Sequence, residues 1–436
     1  MGMKQSLMTR IRIAGFIAGL LLLAAAACAQ GRVVAIGDVH GAYPEFVSIL
    51  QRTSLIDGNR KWIGGSAILV QMGDLLDRGR QSRDCLDLLM ELERQAKKRG
   101  GKVIPLLGNH EVLNILGDGR YVTTEIYRTF ATNRSEKTRE RAYRDYMKFL
   151  SAHRGHSHTA LPTDDEATHR KWVDEHPPGF FEYRDAFGPG GRYGAWIRMH
   201  PAIAMIGDGL FLHGGLNPAL QFRDVAELND RIRSEVAAFD FFWQSLVQKK
   251  VIWRYMKFEE AMRQVDEELK WMQAHGKVED PEMVQQMRQL LGLSNWMIAS
   301  PEGPLWYRGL AMEPEEKLTG ALKAMLERLK SQYIVAGHTV LSKSAITARF
   351  DSHVFLIDTG MLKEAYGGRA SALEIQSGQF TARYADGEQE ILVAPGWKNT
   401  RSSRTGDKGG VRGFFDWDWT ALQLFGERLA FDQFRD

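Results

Sequence analysis

Five ligand-rich loops, each placed directly after a short apolar run, constrain this chain more than any other feature of its sequence. Gly37-Asp38-Val39-His40-Gly41, Gly73-Asp74-Leu75-Leu76-Asp77-Arg78-Gly79 and Gly108-Asn109-His110-Glu111 begin 36 and 35 residues apart. Each follows a stretch that reads as a β-strand, so each puts an oxygen or nitrogen donor at a strand's C-terminal end, where an open α/β sheet holds its reactive groups. Downstream, His213 in Leu212-His213-Gly214-Gly215 follows Gly209 to Leu212, and His338 in Ala336-Gly337-His338-Thr339 follows Tyr333 to Val335. Together the loops offer carboxylates, one amide oxygen and four imidazoles, a mixture that suits transition metals and suits a calcium cage poorly. One such loop alone is an ordinary turn or a structural histidine. Five in order read as a two-metal site.

Around these loops the pattern is strand-loop-helix, with helices expected over Pro44 to Arg52 and Ser82 to Lys98. A first insertion runs from about Gly117 to Ile197. Its early part, Ser135 to Ala152, is charged and helical in pattern; its later part, with Pro162, Pro177-Pro178 and Gly188-Pro189-Gly190-Gly191, reads as loop. His153, His156 and His158 with Asp164 and Asp165 cluster there, but irregular spacing in a polar stretch reads as solvated residues rather than a further metal site. A second insertion, Asp224 to about Asn295, is rich in Trp, Met, Glu, Lys and Arg at helical spacing and predicts two or three helices. It enters after His213 and leaves before Arg308, which places it as a cap over the metal cleft, with Trp243, Trp253 and Trp271 as cap core. From Ser371 to Val393, alternating runs such as Ala372-Leu373-Glu374-Ile375 predict late antiparallel strands of the second sheet. After Pro395-Gly396, a Gly/Arg/Ser-rich stretch to Gly413 reads as linker and Phe414 to Phe434 as an aromatic tail. The expected division is residues 1–29 as an export signal, 30–394 as the main domain and 395–436 as linker and tail. With 436 residues and 44% hydrophobic content the chain can bury a large core. The fold class expected is α/β, a sandwich of two packed mixed β-sheets flanked by helices.

The order and residues of the five loops resemble the calcineurin-like metallophosphoesterases, and within them the phosphoprotein phosphatase superfamily. Asp77-Arg78 after the Asp74 motif, followed by Asn109-His110-Glu111, carries that resemblance. Cyclic-nucleotide phosphodiesterases of the wider fold end in Gly-His-x-His; here Val340 stands in the last position, which argues against them. Gly303-Pro304-Leu305-Trp306-Tyr307-Arg308-Gly309 and Ile357-Asp358-Thr359-Gly360-Met361 look like the bacterial-type branch called Shewanella-like protein phosphatases. The resemblance covers Val33 to Ile375, interrupted by the two insertions. The Ser-Ala-Pro-Asn-Tyr signature of the eukaryotic serine/threonine phosphatases is absent.

The resemblance implies a metallophosphoesterase-type fold and two metal ions of manganese, iron or zinc type. It implies that Asp38 and His40 hold the first ion, that Asp74 bridges both, and that Asn109, His213 and His338 complete the second. Two ions about 3.5–4 Å apart need a shared anion, and one carboxylate plus a bridging hydroxide supplies it. That hydroxide would attack phosphorus in line, without a covalent phosphoenzyme. His110 would be the general acid toward the leaving oxygen, with Asp77 orienting and charging it. Arg78 and Arg308 would fork onto the non-bridging phosphate oxygens. His200 reads as a packing histidine and Cys85, in a helical pattern, as core rather than nucleophile.

The N-terminus predicts export. Lys4, Arg10 and Arg12 precede the apolar run Ile13 to Ala27, and Ala27-Cys28-Ala29 fits a small-x-small cleavage site. That run of 15 residues is shorter than a membrane span. Lipidation at Cys28, the one route to a membrane, ranks second because Ala25 stands where such signals prefer Leu. Cleavage leaves Cys85 alone, so no intramolecular disulfide is expected. The net charge of +3 comes from 57 basic against 54 acidic residues, and removing Lys4, Arg10 and Arg12 leaves 54 against 54. Bulk charge therefore gives a nucleic-acid partner no support.

The expected activity is phosphomonoester hydrolysis, of a phosphorylated protein or a small phosphoester, outside the cytoplasm. The alternatives are a phosphodiesterase or dinucleoside-polyphosphate hydrolase of the same fold, and a catalytically silent binding module.

Overall fold

The computed structural model describes residues 31–153, 162–276 and 280–395. Strands β1 (Val33–Ile36), β2 (Ile68–Gln71) and β3 (Lys102–Pro105) pair in parallel, with Val33 opposite Ile68 and Ile68 opposite Lys102. Parallel pairing requires crossovers, and helices α1 (Tyr43–Arg52) and α2 (Ser82–Lys98) supply them. Pro44 in the first turn of α1 has a φ already suited to a helix start. The face of α2 carrying Cys85, Leu86, Leu89, Leu92 and Ala96 is buried.

The second sheet joins β4 (Ile203–Ile206), β5 (Gly209–Leu212), β6 (Tyr333–Ala336), β7 (Thr347–Arg349) and β8 (Val354–Leu356) in the order β4-β5-β6-β8-β7. β5, β6 and β8 are parallel, with antiparallel edges at β4 and β7. The two sheets pack face to face: Val33, Ala35 and Val70 of the first meet Phe211, Val335 and Phe355 of the second. The alternate residues Val34, Ile36 and Leu69 turn outward into the helical layer, as the two-residue period of a strand dictates.

One expectation is corrected here. β9 (Ser371–Gln376), β10 (Gln379–Tyr384) and β11 (Gln389–Val393) are antiparallel, but they extend the first sheet, in the order β11-β10-β9-β1-β2-β3. β2 occupies one side of β1, so the other side would be an unpaired edge; β9 covers it, with Ile375 opposite Val33. The apolar residues of these strands still meet the second sheet, through the stacked rings of Phe380 and Phe355, 4.6 Å apart.

The first insertion follows α3 (Asn109–Leu116) and is helical well beyond its early part. After α4 (Thr124–Arg128) and α5 (Ser135–Ala152) come α6 (Glu166–Glu175), α7 (Phe180–Phe187) and α8 (Arg192–Ile197), where loop was expected. The Pro and Gly residues punctuate these helices instead of dissolving them. Pro177-Pro178 lies between α6 and α7, Gly179 takes φ 93° before α7, and Gly188 to Gly191 joins α7 to α8. Trp172, Phe180, Phe181, Tyr183, Phe187, Tyr193 and Trp196 are buried, and that apolar content outweighs the breakers. Asp165 caps α6 and Asp164 accepts from the Tyr143 hydroxyl at 2.8 Å, so both have structural roles. His156 and His158 lie outside the described residues, as do the expected export signal, Cys28 and residues 396–436.

The second insertion forms three helices, α9 (Val225–Gln248), α10 (Phe258–Ala274) and α11 (Pro281–Leu291). It joins the first insertion: Arg198 forks onto Asp240 at 2.7 and 2.9 Å, and Trp253 packs against Tyr146 and Trp172. Trp243 packs on Phe239 and Trp271 stacks on His275, a packing use of all three tryptophans. A cavity of about 530 Å³ lies at the junction, lined among others by Asn114, Tyr183, Phe239, Trp243 and Tyr255. Among the described residues no helix is long and apolar enough to cross a membrane.

Candidate metal centre

The loops after β1, β2, β3, β5 and β6 converge at one end of the sandwich, because parallel strands within each sheet present their C-terminal ends together. Asp38, His40, Asp74, Asn109, His110, His213 and His338 are all buried there. Two groups form, His40 with Asp74 and His110, and Asp74 with His213 and His338; in each the donor atoms lie within 4.8 Å of one another. Asp74 is common to both and divides its oxygens between them. Its Oδ1 is 3.3 Å from His213 Nε2, and its Oδ2 is 3.5 Å from His40 Nε2 and 3.8 Å from His110 Nε2. His213 Nε2 also stands 2.8 Å from Asn109 Oδ1 and 3.0 Å from His338 Nδ1. Asp38 approaches His40 at 4.0 Å.

Backbone groups orient these donors. His40 and His213 give their Nδ1–H to the carbonyls of Leu76 and Met72, at 2.9 and 3.0 Å, which turns Nε2 of each inward. The His110 N–H, in the first turn of α3, donates to Asp74 Oδ1 at 3.0 Å, and the His338 N–H donates to Asp38 Oδ1 at 3.0 Å. These approaches demand glycine beside the carboxylates: a Cβ at Gly108 would lie 2.3 Å from Asp74 Oδ1, and one at Gly337 2.4 Å from Asp38 Oδ1. His40, Asp74, Asp77, Arg78 and His338 all take positive φ, between 47° and 68°. Strained backbone of this kind concentrates at functional sites.

The electrostatics fit a cation. Burial, then the charges of Asp358 and Asp74, pushes Asp38 well above the usual carboxylate range. Burial alone would lift Asp74 too, but His213, His110 and His40 hold it well below that range. Burial would lower His213, yet the Asp74 and Asp38 charges raise it to about 9. Burial, with Arg78 beside His40 and Arg308 beside His338, holds those two imidazoles well below their ordinary value, in the neutral form that ligates metals. A carboxylate cluster that draws a proton onto a buried imidazole is one where a metal ion can take the proton's place. Nε2 of His110 is buried without a hydrogen-bond partner, as a donor facing a substrate would be. The donor set therefore fits two metal ions.

His110 Nδ1–H donates to Asp77 Oδ2 at 2.7 Å, the pairing expected from the sequence. Arg78 lies between the rings of Tyr121 and Tyr366, donates to the Tyr366 hydroxyl, and places Nη1 2.7 Å from His40 Nε2. Arg308 donates from Nη1 to the His338 carbonyl at 2.8 Å and to Thr339 Oγ1 at 3.1 Å, so it braces a ligand loop. His200 sits edge-on to Trp196 at 4.4 Å, in the packing role expected of it. Cys85 is a buried core residue whose thiol burial pushes well up.

The sequence reading gave no role to three kinds of residue that the structure brings to the site: Glu111 and Asp358, which it named in motifs, and two tyrosines that it did not name. Glu111 accepts the N–H groups of Asp74, Leu75 and Gly108 at 2.7, 2.9 and 2.8 Å, clamping the bridging-ligand loop to the start of α3. Asp358 follows β8 in a sixth strand-end loop that the same positional rule would have found; burial pushes it up to about 6. Tyr121 and Tyr366 come from segments with no motif.

Comparison with known proteins agrees with this geometry. The family model described as Calcineurin-like phosphoesterase matches residues 31–342. An uncharacterised protein of Schizosaccharomyces pombe is 27% identical over 347 residues, 79% of this chain and 76% of its own. Shewanella-like protein phosphatase 2 of Arabidopsis thaliana is 47% identical over 92 residues, 21% of this chain and 24% of its own. The crystal structure of a cold-active protein-tyrosine phosphatase of a psychrophilic Shewanella superposes with a TM-score of 0.52 at 24% identity, covering 83% of this chain and 80% of that one.

Proposed function

Since the chain belongs to the calcineurin-like phosphoesterase family, we propose that it is a metal-dependent phosphomonoesterase acting as a protein phosphatase. The observation that carries this reading is the division of Asp74 between two donor groups, with His110 Nε2 facing its outer oxygen at 3.8 Å. Asp38 and His40 would hold one ion, Asn109, His213 and His338 the other, and Asp74 both. Bound there, the ions supply Lewis-acid activation of the attacking water and neutralise phosphate charge. Asp77 holds Nδ1–H of His110, so His110 presents Nε2 to the leaving oxygen and gives it a proton as the ester bond breaks. The lone pair of His40 Nε2 cannot serve both a cation and Arg78. With a metal ion held there, the Arg78 guanidinium would turn to the non-bridging phosphate oxygens, and Arg308, which now donates to the His338 carbonyl, would support them from the opposite loop.

Reconstitution with manganese, iron or zinc, followed by assay on p-nitrophenyl phosphate, its bis-ester and phosphoserine, phosphothreonine and phosphotyrosine peptides, tests the reading. Monoesters and phosphopeptides should turn over well above the diester. Faster diester turnover would overturn it. The protein acts, in this reading, outside the cytoplasm with a mature chain beginning at Gln30. N-terminal sequencing that finds a lipidated Cys28 or a retained Met1 would reject that processing.

A further inference from the structure

The first insertion reaches the candidate acid through one chain of buried hydrogen bonds. His110 Nδ1 is 2.7 Å from Asp77 Oδ2, and the other oxygen of Asp77 accepts from Asn114 Nδ2 at 3.0 Å. Asn114 Oδ1 in turn accepts from the hydroxyl of Tyr183, in α7 of the insertion. The direction of each bond is forced by chemistry. An ionised carboxylate only accepts, so Asn114 must offer its NH₂ to Asp77; its carbonyl oxygen is then left for Tyr183, which must donate. Asn114 also donates to the His110 carbonyl at 2.9 Å, one turn back on α3, which fixes the amide plane. All four side chains are buried, from His110 at 0% to Asn114 at 6% exposed. The Tyr183 ring is held independently by Tyr127, Phe130 and Phe187, at 5.1, 4.9 and 4.4 Å.

We propose that Asn114 and Tyr183 are positioning residues for the phosphatase reaction, setting the Asp77 carboxylate so that His110 Nε2 points at the leaving oxygen. The inference rests on the reading of His110 as general acid. Either carboxylate oxygen can pair with Nδ1 and the carboxyl can rotate about its own bond; a donor fixed on the second oxygen removes that freedom. The Asn114 amide is held from both ends, its NH₂ by Asp77 and the His110 carbonyl and its oxygen by the Tyr183 hydroxyl, so the insertion completes the clamp. Through this one hydroxyl the first insertion contributes a positioning contact to the site.

Tyr183→Phe removes the hydroxyl and leaves the ring packing, so it is the variant to make. On an alkyl phosphate, whose leaving group needs the proton, kcat should fall roughly 3- to 10-fold, the worth of a buried neutral hydrogen bond. KM and metal content should hold, and p-nitrophenyl phosphate should lose less than about twofold, because its leaving group departs without a proton. In a His110→Asn background Tyr183→Phe should have no further effect. Asn114→Ser, shortening the bridge from the other side, must reproduce the same leaving-group pattern, which keeps the test available if the first variant folds poorly. Equal losses on both substrates, or losses that add to those of His110→Asn, would overturn the inference. If His110→Asn alone shows no leaving-group dependence, the acid assignment is what fails. If it shows that dependence and Tyr183→Phe does not, only the positioning role fails.

Discussion

The strand-end site and the seam between the two insertions bury polar chemistry in opposite ways. At the site, Asp38, Asp74, Glu111 and Asp358 lie within one cluster of imidazoles, all buried. In the seam, Trp172, Phe181 and Trp253 pack ring on ring, and the hydroxyls of Tyr143, Tyr146 and Tyr255 reach out to Asp164, Glu260 and Asp185. Burying a carboxylate is costly unless something neutralises it. The seam avoids that cost by sending its polar tips to the rim; the site accepts it, because a cation is what the donors are arranged to receive. Stability should therefore depend on rings in one region, and activity on charge in the other.

The largest break in that comparison is expected from Asp74→Asn. The shared ligand loses its charge toward both donor groups, so activity should drop by about three orders of magnitude or more, with fewer than two metals retained per chain. Two tightly held ions and near-normal turnover would remove the basis of the site. Trp172→Ala should act the opposite way. Emptying a ring position stacked between Tyr146 and His176 should lower unfolding free energy by about 3–5 kcal/mol, read by urea denaturation. Metal content and kcat should stay within about twofold of wild type; a large loss of either would mean that the two regions are one unit.

A pH effect should also belong to the seam. Burial, followed by the charges of Lys257, Arg139 and Arg184, holds His176 at about 4, below the ordinary 6.5. The unfolded chain then binds a proton between those values that the folded chain refuses. The contribution is present in full above pH 6.5 and is lost as pH falls through about 4, to a limit of about 3 kcal/mol. Denaturation of wild type and His176→Asn at pH 7 and 4.5 should show a smaller acid loss in the variant. An identical loss in both would place the acid sensitivity elsewhere.

The finest distinction concerns Arg308, which the sequence suggests as a phosphate clamp and which here braces the His338 loop. Arg308→Lys keeps the charge and loses the fork, so kcat/KM should fall about tenfold with weaker inhibition by inorganic phosphate. Unchanged metal content would fit the clamp; loss of one metal would show that bracing His338 is its main role.

The sequence by itself determined the donors and their places. A strand followed by a loop fixes which end of a sheet a side chain reaches, so five loops in order located Asp38, His40, Asp74, Asn109, His110, His213 and His338 before any fold was known. Local pattern also read α1 and α2 correctly, since amphipathic spacing is a property of neighbours in the chain. Only tertiary structure decided what depends on distant segments meeting. β9 to β11 join the first sheet because β1 has a free edge, which no alternation of residues reveals. α6 to α8 form in a segment full of Pro and Gly because the rings they bury meet distant partners: Trp172 and Phe181 meet Trp253 of the second insertion, Phe180 and Tyr183 meet Tyr127, and Tyr193 and Trp196 bond to Asp87 and Glu93 of α2. Glu111 clamping the Asp74 loop, Tyr366 against Arg78, and Tyr183 behind Asp77 are contacts across 37 to 288 residues of chain. Spacing in sequence carries no record of them; packing of the two sheets and their insertions creates them.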